Sequence, residues 1–327
     1  TLEQSSIRPT VEVDILGMEY VTCTMCGPSK TAVLSRKGIF KKGGPVIRFQ
    51  NVICKSCGLV YRNPRPGTLE LDDLYNKIYL EKRHSLANEE AAFAFLKTVN
   101  QKNKGEQVAE FLKGAVDGQT RILDVGSGLG LLGGFLHQKL GADVLGVEPS
   151  ELSSRVSERV YGIPVFHGTF DAFLAKRGGR VFDCVILHHV FEHFGDPLPK
   201  LRECAELLSE RGILYIEVPN VLDFKKPISH FFDSLHLYNY SPATLAGILR
   251  LGGFKIIRWN TGKRYRIQIL AARFSHPQQA ASLPGASANV ADQTIRYCRR
   301  KRALEIAQAL GAPLRALARM APRFSSS

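Results

Sequence analysis

Short apolar runs, set apart by longer segments of helical spacing, dominate the middle of the chain. RILDV (121–125), DVLGVE (143–148), PVFH (164–167), VFDCVIL (181–187) and GILYIEV (212–218) read as strands. Helical segments of about ten or more residues lie between them. That alternation predicts a parallel sheet covered by helices on both faces. FKIIRWN (254–260) and YRIQILAARF (265–274) depart from it, because only TGKR joins them. Four residues cannot carry a parallel crossover, so this pair should be an antiparallel hairpin. Upstream, NEEAAFAFLKTV and GEQVAEFLK space their apolar residues by three and four, predicting a helical region over 69–113. The prolines of YRNPRP close a cysteine-bracketed unit at 21–66. Residues 275–293 are small, polar and proline-containing, which predicts a flexible link. Residues 296–321 should then form one or two short amphipathic helices, broken near Gly311-Ala312-Pro313.

Composition adds limits. A chain of 327 residues with 44% hydrophobic and 23% charged residues can hold a full α/β domain and a smaller module. No apolar run approaches the ~20 residues that cross a bilayer. The start has no charged stretch leading into an apolar core, so it shows no signal-peptide pattern. Paired CxxC motifs bind metal more often than they form disulfides in a reducing compartment, so a cytoplasmic protein is expected. Charge is uneven. Residues 296–327 hold eight basic side chains against Glu305, a net +7 and half of the formal +14. Such a tail favours an anionic membrane surface, a protein partner or a nucleic acid, without choosing among them.

Seven cysteines divide into two kinds. Cys184 and Cys204 fall in apolar or helical patterns and read as small core residues, and Cys298 is also isolated. Cys23, Cys26, Cys54 and Cys57 make two CxxC pairs, with 27 residues between the second and third. Each turn can present two thiolates to one tetrahedral Zn²⁺, and two turns close the shell. Such an ion is structural, a staple for a module of about 45 residues that lacks a large core.

The stretch DVGSGLG raises the central chemical question. Its glycines follow GxGxG (Gly126, Gly128, Gly130), whereas the dinucleotide fingerprint GxGxxG would need glycine at Leu131. Asp124 stands two residues before the first glycine, where a carboxylate repels pyrophosphate and attracts a cation. Glu148 ends the second strand, where a carboxylate can accept both hydroxyls of a ribose. A ribose joined to a cationic amino acid describes S-adenosylmethionine.

On LDVGSGLG, VLGVEPS, FDCVILHHVFEHFGDPLPKLRECAELLSERGILYIEVPN and HLYNYSPATLAGILRLGGF, the span from Leu112 to Phe274 resembles the class I S-adenosylmethionine-dependent methyltransferases. The resemblance implies an α/β, Rossmann-like sheet of seven strands with a reversed last strand, plus a small N-terminal zinc-binding domain. The expected organisation is a zinc module at 1–66, a helical linker at 67–113, the methyltransferase domain at 114–274, and a link with a basic tail at 275–327. Gly126 and Gly128 would admit the donor, Asp124 its ammonium and Glu148 its ribose. Thr169 and Phe170 follow the third strand, where this fold contacts adenine; Phe170 alternatively belongs to the core.

The cysteine pairs resemble the N-terminal zinc domain of methyltransferases acting on sugars and related metabolites, where the small domain helps enclose the substrate. In an open parallel sheet the site lies beyond the carboxyl ends of the strands. That edge receives His188 and His189, then Glu192 and His193 of FEH, and His236 of DSLHLYNYS. His188 and His236 are the candidate catalytic bases. FEH is assigned to local structure, and His189 points away if its backbone stays extended. Sugar C-methyltransferases carry Tyr-His-Glu-His near His236, and this chain lacks that Glu. The implied reaction is therefore O-methylation of a small metabolite, a sugar or a saccharide. An RNA methyltransferase and a sugar C-methyltransferase stand as alternatives.

Overall fold

The computed structural model of the protein describes residues 18–40, 46–67, 88–98, 101–225, 227–232, 236–260, 265–274 and 288–310. Strands β1 (Met18–Glu19), β2 (Thr31–Phe40), β3 (Val46–Cys54), β4 (Val60–Arg62) and β5 (Arg65–Pro66) make up the N-terminal part. Helices α1 (Glu89–Thr98) and α2 (Gln101–Leu112) lead to the main sheet. There follow β6 (Arg121–Val125), α3 (Leu131–Leu140), β7 (Asp143–Glu148), α4 (Glu151–Tyr161), β8 (Val165–His167) and α5 (Phe170–Lys176). The chain continues through β9 (Phe182–His188), α6 (Pro197–Leu207), β10 (Leu208–Pro219), α7 (Ile228–Phe231) and β11 (Tyr238–Asn239). It closes with α8 (Pro242–Leu251), β12 (Phe254–Asn260), β13 (Arg266–Arg273) and α9 (Ala288–Ala309).

Seven strands form one sheet in the order β12-β13-β10-β9-β6-β7-β8. The five strands from β10 to β8 run parallel, and β13 lies antiparallel between β10 and β12. This is the Rossmann-like methyltransferase architecture with its one reversed strand. Successive residues of the central strands feed opposite faces. Ile122, Cys184, Ile186 and Tyr215 pack with Val108 and Leu112 of α2 and Leu136 of α3. Leu123, Val185, Leu187 and Leu214 pack on the other face with Leu201 of α6 and Leu245 and Ile248 of α8. Burial on both sides explains why these strands are continuous apolar runs rather than alternating ones. Helix ends are locally specified. Ser150 caps α4 by accepting from the Ser153 N–H, and Ser241 forms a reciprocal capping box with Thr244 at α8.

The smaller sheet has the order β11-β4-β3-β2. Its outermost strand comes from far along the chain, with Tyr238 opposite Tyr61 and Asn239 opposite Val60. The sequence pattern contained no sign of this, since two residues of YNY carry no strand period.

The C-terminal part differs from expectation. Helix α9 begins at Ala288, inside the stretch 275–293 expected to be a flexible link. Tertiary contacts outweigh its polar composition. Ala291, Tyr297 and Cys298 join Ile53 and Val60 of the small sheet with Val221, Phe224 and Phe231. Glu305 Oε1 also accepts the Ile228 N–H at 2.9 Å. The break expected near 311–313, and residues 68–87 of the helical linker, lie outside the described residues. No described helix is long and apolar enough to cross a membrane.

Candidate active site and cysteine cluster

Parallel pairing brings the chemistry to one edge. Val125 pairs with Leu187, and His188 pairs with Glu217. The glycine loop, His188 and Glu217 therefore leave three adjacent strands at one level. Gly126 and Gly128 both have left-handed backbones, with φ of 68° and 55°. A β-carbon on Gly126 would meet Val190 Cγ2 at 2.6 Å, whereas one on Gly128 would stand in open space. The loop is pinned on its inner side and open in front of Gly128.

Two acids frame it. Asp124 is buried, its Oδ2 accepts no hydrogen bond, and burial raises its carboxyl to about 7 against the Gly133 N–H that favours the anion. A cationic group brought to Asp124 would compensate that buried carboxylate. Glu148 Oε2 accepts from the Gly128 N–H at 2.8 Å, and Oε1 from the Ser150 N–H at 2.9 Å. Each oxygen retains a second lone pair, so the carboxylate is held in place and can still accept hydroxyls. Burial pushes the Glu148 carboxyl upward, partly offset by those two N–H groups.

The residues expected at adenine both have structural roles. Thr169 caps α5 by accepting from the Ala172 N–H at 3.2 Å. Phe170 is buried and stacks on Phe194, with centroids 5.9 Å apart. The core reading of Phe170 is the one the packing supports.

Next to the loop lies a cluster of imidazoles and carboxylates. His188 Nε2 is 3.4 Å from Glu217 Oε1. Glu217 is fully buried, and its other oxygen accepts from Tyr215 Oη at 2.8 Å and Gln268 Nε2 at 2.9 Å. Arg266 completes the shell at 3.1 Å. Although burial disfavours the anion, the neighbouring His188 and His189 hold the Glu217 carboxyl well below the usual range. His189 corrects the expectation of an extended backbone. Its φ is 58°, so the chain turns there and the ring enters the cluster instead of pointing away. Its Nε2 is 3.2 Å from Glu217 Oε1 and its Nδ1 3.4 Å from Glu192 Oε1. Burial disfavours the imidazolium, but the two carboxylates outweigh it and raise His189 to about 9.

His236 lies at the same edge, with Nε2 3.7 Å from Glu192 Oε1. The carboxylate missing from its own segment is thus supplied by FEH, a single 3-10 turn at Phe191–His193. The Leu237 N–H donates to the Glu192 carbonyl at 2.9 Å, and the Arg62 N–H to the Leu237 carbonyl at 2.8 Å. The small sheet therefore holds the His236 segment against the cluster. Sequence reasoning passed over Glu217 and Arg266. The usable signal was a lone carboxylate inside the apolar run GILYIEV, which a buried strand tolerates only when it is partnered.

Cys23, Cys26, Cys54 and Cys57 converge, all four sulfurs lying within 4.8 Å of one another. Cys23 Sγ and Cys57 Sγ are 3.6 Å apart. Backbone N–H bonds from Gly27 to the Cys23 carbonyl and from Gly58 to the Cys54 carbonyl form the two tight turns.

Residues 79–258 match the model of a methyltransferase domain family, more than half of the chain, and the protein belongs to that family. Among curated relatives, the ubiquinone biosynthesis O-methyltransferase of Rhizobium rhizogenes is 32% identical over 103 residues, 31% of this chain and 41% of that protein. The protein of the same name from Dinoroseobacter shibae is 36% identical over 105 residues, again 31% and 41%. The chain spans about two fifths of the length of these relatives. Among solved structures, magnesium protoporphyrin IX methyltransferase from Synechocystis is 23% identical with a TM-score of 0.45, covering 64% of this chain and all of that one. A methyltransferase from Archaeoglobus fulgidus is 20% identical with a TM-score of 0.46, covering 55% and 98%.

Proposed function

We propose that the protein is an S-adenosylmethionine-dependent O-methyltransferase of a small hydroxylated acceptor, saccharides included, with a structural zinc in its N-terminal module. The observation that carries this reading is the pair of buried carboxylates, Asp124 and Glu148, on either side of a glycine loop open at Gly128. Asp124 offers a buried anion to an ammonium, and Glu148, held by the Gly128 and Ser150 N–H groups, offers its oxygens to ribose hydroxyls. When bound, the donor supplies a methyl group on a sulfonium. The chain's own residues then position the acceptor and take its proton.

We assign the proton to His188, which follows Leu187, the register partner of the Val125 that precedes the glycine loop. Glu217 at its Nε2 fixes the ring and stabilises the imidazolium that forms on protonation. His236 borders the same edge. The likeness to ubiquinone O-methyltransferases supports oxygen as the methylated atom. For the metal, a tetrahedral shell with Zn–S of ~2.3 Å places its sulfurs about 3.8 Å apart, close to the spacing of Cys23 and Cys57. Cys23, Cys26, Cys54 and Cys57 would hold it with no open position.

The test is mass spectrometry of a metabolite extract incubated with the protein and isotopically labelled donor. A labelled methyl on a small hydroxyl compound is expected. Label confined to RNA, or no labelled product beside bound donor, would overturn the acceptor assignment.

A further inference from the structure

The outer edge of the main sheet carries a cavity that the proposed methyl transfer leaves unused. Its volume is about 520 Å³. Small-molecule sites span ~300–1,000 Å³. Leu145 of β7, Phe166 of β8 and Phe173 of α5 give it apolar walls, and Glu158, Lys176, Arg177 and Arg180 give it a charged rim. Leu145 lies three residues before Glu148 on the same strand, so the cavity sits about 10 Å from the edge that holds the glycine loop. Charge is divided across it. Helices α4 and α5 pack on opposite faces of the sheet, through Tyr161 and Phe173. Glu158 of α4 therefore lines one wall, and the basic segment 176–180 that ends α5 lines the other.

The basic segment reads KRGGR, and its two glycines are both left-handed, with φ of 59° and 77°. That turn brings the Arg180 N–H to the Arg177 carbonyl at 3.2 Å and gathers three cations at one mouth. Glu206 holds Arg177 at 3.1 Å. Lys176 and Arg180 are exposed and have no carboxylate partner among the described residues. Two such cations suit a multiply charged phosphate, whose oxygens match an arginine fork. On the far wall, Glu158 Oε1 accepts from the Val165 N–H at 3.1 Å, which leaves its other oxygen to accept a hydroxyl. Between the two, Phe166 is half-buried and meets Phe173 at 5.5 Å between ring centroids, an apolar surface for a planar ring. We propose that this cavity binds a nucleoside phosphate, with Lys176 and Arg180 on the phosphates, Glu158 on the ribose hydroxyls and the base against Phe166. The three chemistries are arranged in the order in which that ligand carries them. Nothing in this assignment depends on the methyltransferase reading.

The test is calorimetry of the full chain with UDP, whose base differs from that of the methyl donor. Saturable one-to-one binding is expected, with the same affinity whether or not S-adenosylhomocysteine is present at high concentration. Uridine and pyrophosphate should each bind at least tenfold more weakly than UDP. Lys176→Gln and Arg180→Gln, both on the surface, should each weaken UDP at least fivefold. Glu158→Ala should weaken UDP and leave pyrophosphate unchanged. No saturable binding, displacement by S-adenosylhomocysteine, or affinity indifferent to both Lys176→Gln and Arg180→Gln would overturn the site. Pyrophosphate binding as tightly as UDP would overturn the nucleoside assignment. Methyl transfer enters none of these readouts, so its failure and the failure of this site are separately visible.

Discussion

The two halves of the site, which the proposed function assigns to the donor and to the acceptor, are built in opposite ways. Asp124, the glycine loop and Glu148 come from one strand-loop-helix-strand unit, and adjacent parallel strands fix their spacing. The acceptor side gathers His188 and His189 from the end of β9, Glu192 and His193 from the turn after it, Glu217 from β10 and His236 from before β11. Contacts from the N-terminal module hold it together. Arg65 bonds the Gly195 carbonyl, Thr24 Oγ1 donates to Asp196 Oδ1 at 3.3 Å, and β4 pairs with β11. A locally built half should survive damage elsewhere. A half assembled over distance should fail when any remote support is lost.

The largest expected effect isolates the acceptor side. His188→Ala should slow turnover by roughly 10²–10⁴-fold while donor affinity stays within a factor of about two. Steady-state kinetics beside calorimetry checks this, and an equal loss in both would erase the distinction between the halves. Zinc removal comes next. Chelation or Cys54→Ser should unfold the small sheet, release β11 and raise the acceptor KM about tenfold or more, while the donor still binds. Hydrogen exchange would show protection lost over 46–62 and 236–240 and retained over 121–148. Uniform loss across both halves would contradict the comparison.

How much was legible follows the same division. Asp124, Gly126, Gly128 and Glu148 stand within one short stretch, so their spacing predicted one group, and the structure brings that group together. The hairpin of β12 and β13 was readable from the length of its linker. His189 was misjudged because a left-handed residue after a strand leaves no trace in hydrophobic periodicity. The partner of His236 was sought within its own segment, but Glu192 comes from a turn more than forty residues earlier. Helix α9 is polar in composition and is stabilised by burying Ala291, Tyr297 and Cys298 against residues from two other segments. Such pairings exist only in three dimensions.

Two further effects sharpen the donor half. Glu148→Ala should weaken donor binding by about 1.5–3 kcal/mol for each charge-assisted hydrogen bond removed, with acceptor KM unaffected. Isothermal calorimetry measures it. The smallest effect concerns Asp124, whose carboxyl titrates near 7. The raised value means that the anion, which attracts an ammonium, is lost as pH falls below about 7. Donor affinity should therefore rise by up to roughly tenfold from pH 5.5 to 7, and Asp124→Asn should flatten that profile.

The most direct measurement is a pair of calorimetric titrations of the purified protein, one with S-adenosylhomocysteine and one with NAD. Saturable one-to-one binding of the first, weakened by Glu148→Ala, and no heat from the second are predicted. Tight NAD binding without response to S-adenosylhomocysteine would contradict the account at its centre.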